Sequence, residues 1–142
     1  MSGSSSGIIV GIVILILDRV LKALSTKYLL TKDIVIGNGL LRLTHVRNPG
    51  AAFGFLPSQR GLIIFVSILA LIFIIRLFRK VSYKNLYFSI GFWVLIAGIL
   101  GNLFDRIFLG YVIDYVQILN SPIFNISDIA ILIGMAIILF FS

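Results

Sequence analysis

Four apolar stretches constrain this chain more than anything else in it. They cover about 8–24, 61–78, 86–104 and 124–141. Of the 142 residues, 60% are hydrophobic and only 12% are charged, where ordinary globular chains carry roughly 25% charged residues. The mean hydropathy is +1.15. A bilayer is crossed by about 20 apolar residues in a helix, because lipid offers the backbone no hydrogen-bond partner but itself. The expected fold is therefore all-α and integral to a membrane: four transmembrane helices in one domain, residues 8–142. Residues 1–7, rich in Ser and Gly, read as an appended linker and are set aside.

Two stretches reach spanning length only by taking in polar residues. The purely apolar part of the first, 8–17, makes about 15 Å of helix, so the helix must continue through Asp18 and Lys22. The fourth must include Asn125 and Asp128. Ionisable groups in or beside a span are expensive and suggest function by default. Between the second and third stretches stand Arg76, Arg79, Lys80 and Lys84 with no acid. The positive-inside tendency makes that loop cytoplasmic, and with it both chain ends. The long segment 26–60 then lies outside. In it, 34–36 and 40–46 read as two strands about Gly37-Asn38-Gly39, an Asn-Gly turn. They predict a small sheet on the outer membrane surface.

The net charge of +7 comes from twelve Lys and Arg against five acids. Basic span flanks facing anionic lipid headgroups account for it, so membrane lipids, and no nucleic acid, are the expected partners. There is no cysteine, which excludes disulfides and thiolate chemistry. The single histidine, His45, argues against a histidine metal site. No metal and no cofactor is expected.

All five acids are Asp: Asp18, Asp33, Asp105, Asp114 and Asp128. Asp18 and Lys22 share a helix face, as a salt bridge within the span or as a contact for a headgroup or substrate. Asn48-Pro49-Gly50-Ala51-Ala52-Phe53-Gly54 is small enough to let a backbone approach, or is simply a turn. Gly101-Asn102-Leu103-Phe104-Asp105-Arg106 closes the third stretch; its plain explanation is a helix-end cluster with Asp105 paired to Arg106. The alternating pattern around Asp114 predicts an extended piece, with Asp114 plainly read as an exposed loop acid. At the fourth stretch Asn125 is a good N-cap, and Asp128 stands three residues on, as in a capping box. That explains Asp128 with no chemistry, and it also holds the carboxylate rigidly, as chemistry requires.

Together these motifs resemble the lipoprotein signal peptidases (signal peptidase II), an aspartyl-protease family of bacterial membranes. The pieces are Asp18-x-x-x-Lys22, Asn48-Pro49-Gly50-Ala51-Ala52-Phe53, Gly101-Asn102-x-x-Asp105-Arg106, Val112-x-Asp114-Tyr115 and Phe124-Asn125-x-x-Asp128. They occur in the family's order over essentially the whole chain. The pattern departs from the family at Arg19, where Gln is common, and at Ser127, where Ala is usual. The resemblance implies a multi-pass enzyme of the inner membrane, with a small outer sheet cradle. It implies cleavage of diacylglyceryl-modified prolipoproteins on the amino side of the lipidated cysteine, and inhibition by globomycin-type peptides. It puts the catalytic pair at Asp114 and Asp128, supported by Asp18, Lys22, Asn48, Gly50, Gly101, Asn102, Arg106 and Asn125. Two other readings remain: a small transporter or channel lined by Asp18, Lys22, Asp105 and Arg106, and an inactive lipoprotein-binding relative.

Overall fold

The computed structural model describes residues 3–50, 59–80 and 86–141. Along the chain come α1 (Gly3–Tyr28), β1 (Ile34–Ile36), β2 (Leu41–Asn48), α2 (Arg60–Lys80), α3 (Leu86–Phe108), β3 (Val112–Ile118) and α4 (Ile126–Phe141). The protein is mostly helical, with one small antiparallel sheet in the order β1-β2-β3. The four apolar stretches became the four helices. Residues 3–7, read as an appended linker, are helical and form the first turns of α1. Ala51, Ala52, Phe53, Gly54 and Lys84 lie outside the described residues.

Helix α3 is the centre, packed between α1 and α4. Small residues make this possible, because apolar helices in lipid gain chiefly by close backbone approach. On α1, Gly7 and Gly11 sit against Ser89 and Trp93 of α3. On the other side, Gly91 faces Gly134 and Ile137 of α4, and Gly98 faces the Ser127 carbonyl. Aromatic rings close the end of the bundle away from the sheet: Phe78 of α2 stacks on Phe92 and Phe88 of α3, with Ile96 also buried there.

Two of the helices, Arg60–Arg79 and Leu86–Phe108, are long and apolar enough to cross a membrane. Their surroundings differ: 61% of the α3 window is buried inside the protein, but only 11% of the α2 window is. An apolar helix left bare on nearly every side is stable only if lipid covers it. Helix α4 is apolar but shorter, and α1, at 26 residues, has its apolar run broken by Asp18, Arg19 and Lys22.

The hairpin forms as the Asn-Gly turn predicts. Gly37, Asn38 and Gly39 all have positive φ, and Ile36 pairs with Leu41. The sequence did not reveal that the extended piece after α3 is the third strand. β3 pairs antiparallel with β2, placing Val46 opposite Asp114 and Asn48 opposite Val112, with an irregularity between Leu43 and Val46. There Ser25 of α1 hydrogen-bonds His45 at 2.9 Å, which ties the sheet to the bundle.

The α3–α4 contact leaves no room for a side chain. A Cβ at Gly134 would lie 2.5 Å from the Leu95 amide nitrogen and 2.8 Å from the Gly91 carbonyl. Gly134→Ala should therefore push α4 outward and destabilise the fold by about 1–3 kcal/mol. Thermal unfolding in detergent measures this; an unchanged midpoint would contradict the close packing.

Candidate functional site

The site is built where α4 begins. Asn125 precedes the first helical residue, and its side-chain oxygen accepts the Asp128 amide at 3.0 Å. Asp128 returns the bond, accepting the Asn125 amide at 3.1 Å. This is the reciprocal arrangement of a capping box, with an acid favourably placed at the helix N-terminus. The Asn125 side-chain amide, fully buried, then reaches the other acid: it donates to Asp114 Oδ1 at 2.7 Å and to Asn102 Oδ1 at 3.1 Å. Asn102 in turn donates to Asp128 Oδ1 at 2.8 Å. Asp114 and Asp128, fourteen positions apart in sequence, thus share one partner and one polar cluster.

Asp114 is not an exposed loop acid. It is an interior residue of β3, only 3% exposed. Asn48 lies two places from Val46, the cross-strand partner of Asp114, and so is on the same face of the sheet. It donates to Asp114 Oδ2 at 2.9 Å. Burial pushes the Asp114 carboxyl up to about 6, and the charge of Asp128 pushes the same way, against the hydrogen bonds of Asn48 and Asn125 and the charge of Lys22. Its neighbour Tyr115 is raised by burial to about 12, and its hydroxyl accepts the Ile126 amide at 3.2 Å.

The expected Asp105–Arg106 pair does not form. Neighbours on a helix project about 100° apart, so the two face different partners. Asp105 accepts from Arg19, from the Ile113 amide at 3.2 Å, and lies 2.8 Å from Lys22 Nζ. Arg106 donates to the carbonyls of Gly50 at 3.0 Å and Asn102 at 3.3 Å. The Asp18–Lys22 salt bridge is present at 3.1 Å. With Arg19 and Asp105 these residues make a balanced group of two acids and two bases. Asp18 and Lys22 are almost wholly buried, and lie behind Asn102 instead of on an open surface. Asp33 stands apart, paired with Arg42 at the edge of the sheet.

The cluster opens on two apolar grooves. One, of about 240 Å³, has Asp114, Asp128, Asn48 and Arg106 on its wall, with Ile123, Phe124, Ile129 and Leu132 among the rest. The other, of about 340 Å³, runs between α2 and α3 along Ile63, Val66 and Ala70 to Asn102, Arg106 and Asp128. Of the candidate residues, Asp114, Asp128, Asn48, Asn102, Arg106 and Asn125 form one connected set. Gly50 caps it through Asn48 and Arg106. Asp18, Lys22 and Gly101 form its backing.

A known family's model, described as signal peptidase (SPase) II, matches residues 10–142 of this chain. The chain belongs to the signal peptidase II family. A lipoprotein signal peptidase of Caldicellulosiruptor bescii is 38% identical over 125 residues, 88% of this chain and 82% of that one. Another, from Halothermothrix orenii, is 34% identical over 94% of this chain and 92% of its own. A bacterial membrane enzyme solved by the in meso method superposes with a TM-score of 0.87 at 30% identity, covering 96% of this chain and 86% of that one. Family membership makes the chain a membrane protease of lipoprotein processing.

Three side chains in this network carried no weight in the sequence. Arg19 bridges Asp18 and Asp105 and donates to the Gly101 carbonyl at 2.9 Å. Ser127 donates to Asp18 at 2.7 Å. Arg60 caps the end of α3 through the carbonyls of Arg106 and Ile107. Charge balance could have found Arg19, since Asp18 and Asp105 need two cations. Ser127 is marked only as a departure from the family's usual Ala, and nothing local marks Arg60.

The raised Asp114 carboxyl has a consequence for stability. Below about pH 4 it is protonated whether the chain is folded or not. As pH rises towards 6 the unfolded chain ionises it first, so the folded state loses ground and the penalty levels off above 6. A shift from 3.8 to about 6 amounts to roughly 3 kcal/mol at most. Asp114→Asn should therefore gain thermal stability over the parent protein from pH 4 to pH 7. A difference that stays flat with pH would rule out the raised carboxyl.

Proposed function

We propose that the chain is an aspartic endopeptidase that removes the signal peptide from diacylglyceryl-modified prolipoproteins, cutting on the amino side of the lipidated cysteine. The observation that carries this reading is Asn125, which binds both Asp114 and Asp128 where they face one groove. The lipoprotein signal peptidases among its relatives support the substrate.

The chemistry follows from the pair. Two neighbouring carboxylates in a poorly hydrated site do not both ionise readily, so one member serves as the acid while the other serves as the base. The ionised member removes a proton from water. The protonated member polarises the scissile carbonyl, water adds to the carbonyl carbon, and the pair then protonates the departing amine. Asn48, Asn102 and Asn125 orient the two acids, while Arg106, on the groove wall, meets the peptide and holds Gly50. Asp18, Lys22 and Gly101 support Asn102 and α4 from behind.

In this reading all four helices cross the inner membrane of a bacterium, α1 with its charges cancelled in place. The sheet and the aspartate pair lie at the outer face and both termini in the cytoplasm, as the bases at the α2–α3 end favour. Globomycin-type peptides inhibit by occupying the groove beside the pair.

Asp114→Asn and Asp128→Asn should each abolish conversion of a lipidated prolipoprotein, followed by gel shift. Undiminished cleavage by either variant sinks the assignment of the pair. In the parent protein kcat/KM should fall as pH rises through about 6, where the acid's proton is lost. Asn48→Ala removes a donor that favours the ionised form of Asp114, so that limb should move to higher pH. Movement to lower pH would contradict the part assigned to Asn48.

A further inference from the structure

Ser127 is buried completely and lies next to Asp128 in the first turn of α4. Its hydroxyl donates to Asp18 Oδ1 at 2.7 Å, across to α1. The other oxygen of Asp18 accepts from Arg19 and lies 3.1 Å from Lys22 Nζ. Gly101 of α3 stands at this crossing. A Cβ there would be 2.2 Å from Ser127 Oγ and 3.0 Å from Asp18 Oδ2. The Ser127 carbonyl is equally close to α3, at 2.5 Å from the place of a Cβ on Gly98. α3 crowds the hydroxyl, and Asp18 is what it meets.

Asp18 reaches Asp128 by two routes. One is the main chain, through Ser127. The other is Lys22, whose Nζ is 3.3 Å from Asn102 Oδ1, with Asn102 donating to Asp128. The start of α4 is thus seated at three points: on β3 through Asn125 and Asp114, on α3 through Asn102 and Asp128, and on α1 through Ser127. The capping box cannot supply the third, because its two residues belong to one segment and move together.

We infer that Ser127 is a positioning residue for the reaction, holding the first turn of α4 to Asp18 and so fixing the Asp128 carboxylate relative to Asp114. This rests on the reading of that pair as the catalytic one. A hydroxyl that served packing alone would affect melting and leave the reaction and the titration of the acids where they were.

The test uses the full chain in detergent, with Ser127→Ala as the first variant. Carboxyl-stretch infrared spectra are recorded against pH, with Asp114→Asn and Asp128→Asn assigning the bands. Arg106, Lys22, Asn48, Asn102 and Asn125 surround the two acids, and none is altered in Ser127→Ala. The titration of the pair should shift by about half a pH unit or more, and kcat should fall about threefold to tenfold with KM nearly unchanged. The second variant is Gly101→Ala, which keeps the hydroxyl but drives it aside. It should lower kcat likewise, and adding Ser127→Ala should restore part of the loss by removing the clash. Unchanged titration and unchanged kcat in Ser127→Ala overturn the inference, as does a double variant no better than Gly101→Ala alone. If the infrared shift appears while even the parent protein fails to cleave, the seat stands and the proposed function falls. If the parent cleaves and Ser127→Ala matches it in both readouts, only the seat falls.

Discussion

The amide of Asn125 is the part on which the others depend. Its oxygen caps α4, and its nitrogen, turned the other way, donates to Asp114 and to Asn102. A primary amide is suited to this, since it accepts at one atom and donates two protons from the next. A carboxylate at position 125 would face two acids, and an apolar residue would leave the Asp128 amide uncapped and take one donor from Asp114. The same geometry that ends a loop and begins a helix therefore decides how far apart the two carboxylates stand.

The second constraint is electrical. Asp18, Lys22 and Asp105 are drawn out of water or lipid, Arg19 partly so, and the four cancel one another. Breaking a buried group of this kind leaves a bare charge, which is far costlier than the intact group is beneficial. The group is thus weak as a source of stability but strong as a register. It admits one relative height of α1 and α3, because only there do both acids meet both bases. Lys22 passes that register on to Asn102. Asp114 is different: only neutral amides donate to it, and burial raises its carboxyl to about 6. The site holds its charged group quiet at the back and leaves the raised acid at the front, at a cost in stability.

Much of this was legible in the sequence, for identifiable reasons. The four helices followed from apolar length, and the hairpin from Gly37-Asn38-Gly39. The capping box followed from Asn125 and Asp128 at a fixed local spacing. What local spacing cannot convey is which remote segments meet. The pairing of β3 with β2 is long-range, so the face shared by Asn48 and Asp114 was invisible, and Asp114 read as an exposed loop acid. Asp105 was assigned to Arg106 because they are adjacent, although helical geometry turns them apart and Arg19 reaches across from α1 instead. A close approach was read only into residues 48–54, and it takes the packed bundle to tell that Gly101 lies against Ser127 and Gly134 against Leu95.

The arrangement also bears on the rival reading of these polar residues as an ion path. A path needs polar groups on a continuous, reachable wall. Here Asp18, Lys22 and Asp105 are satisfied among themselves and by Arg19, Arg106 is held by the Gly50 and Asn102 carbonyls, and Asp18, Lys22 and Asp105 are nearly or wholly inaccessible. From Leu86 to Leu100 α3 carries no ionisable residue other than Tyr87, and beyond Asp128 α4 carries none. The polar groups gather at one end of the bundle, and the open space beside them is apolar groove. An apolar groove ending on two carboxylates and an arginine cannot conduct an ion across the protein. It can receive a molecule whose greasy part follows the groove while a polar bond comes to rest at the acids.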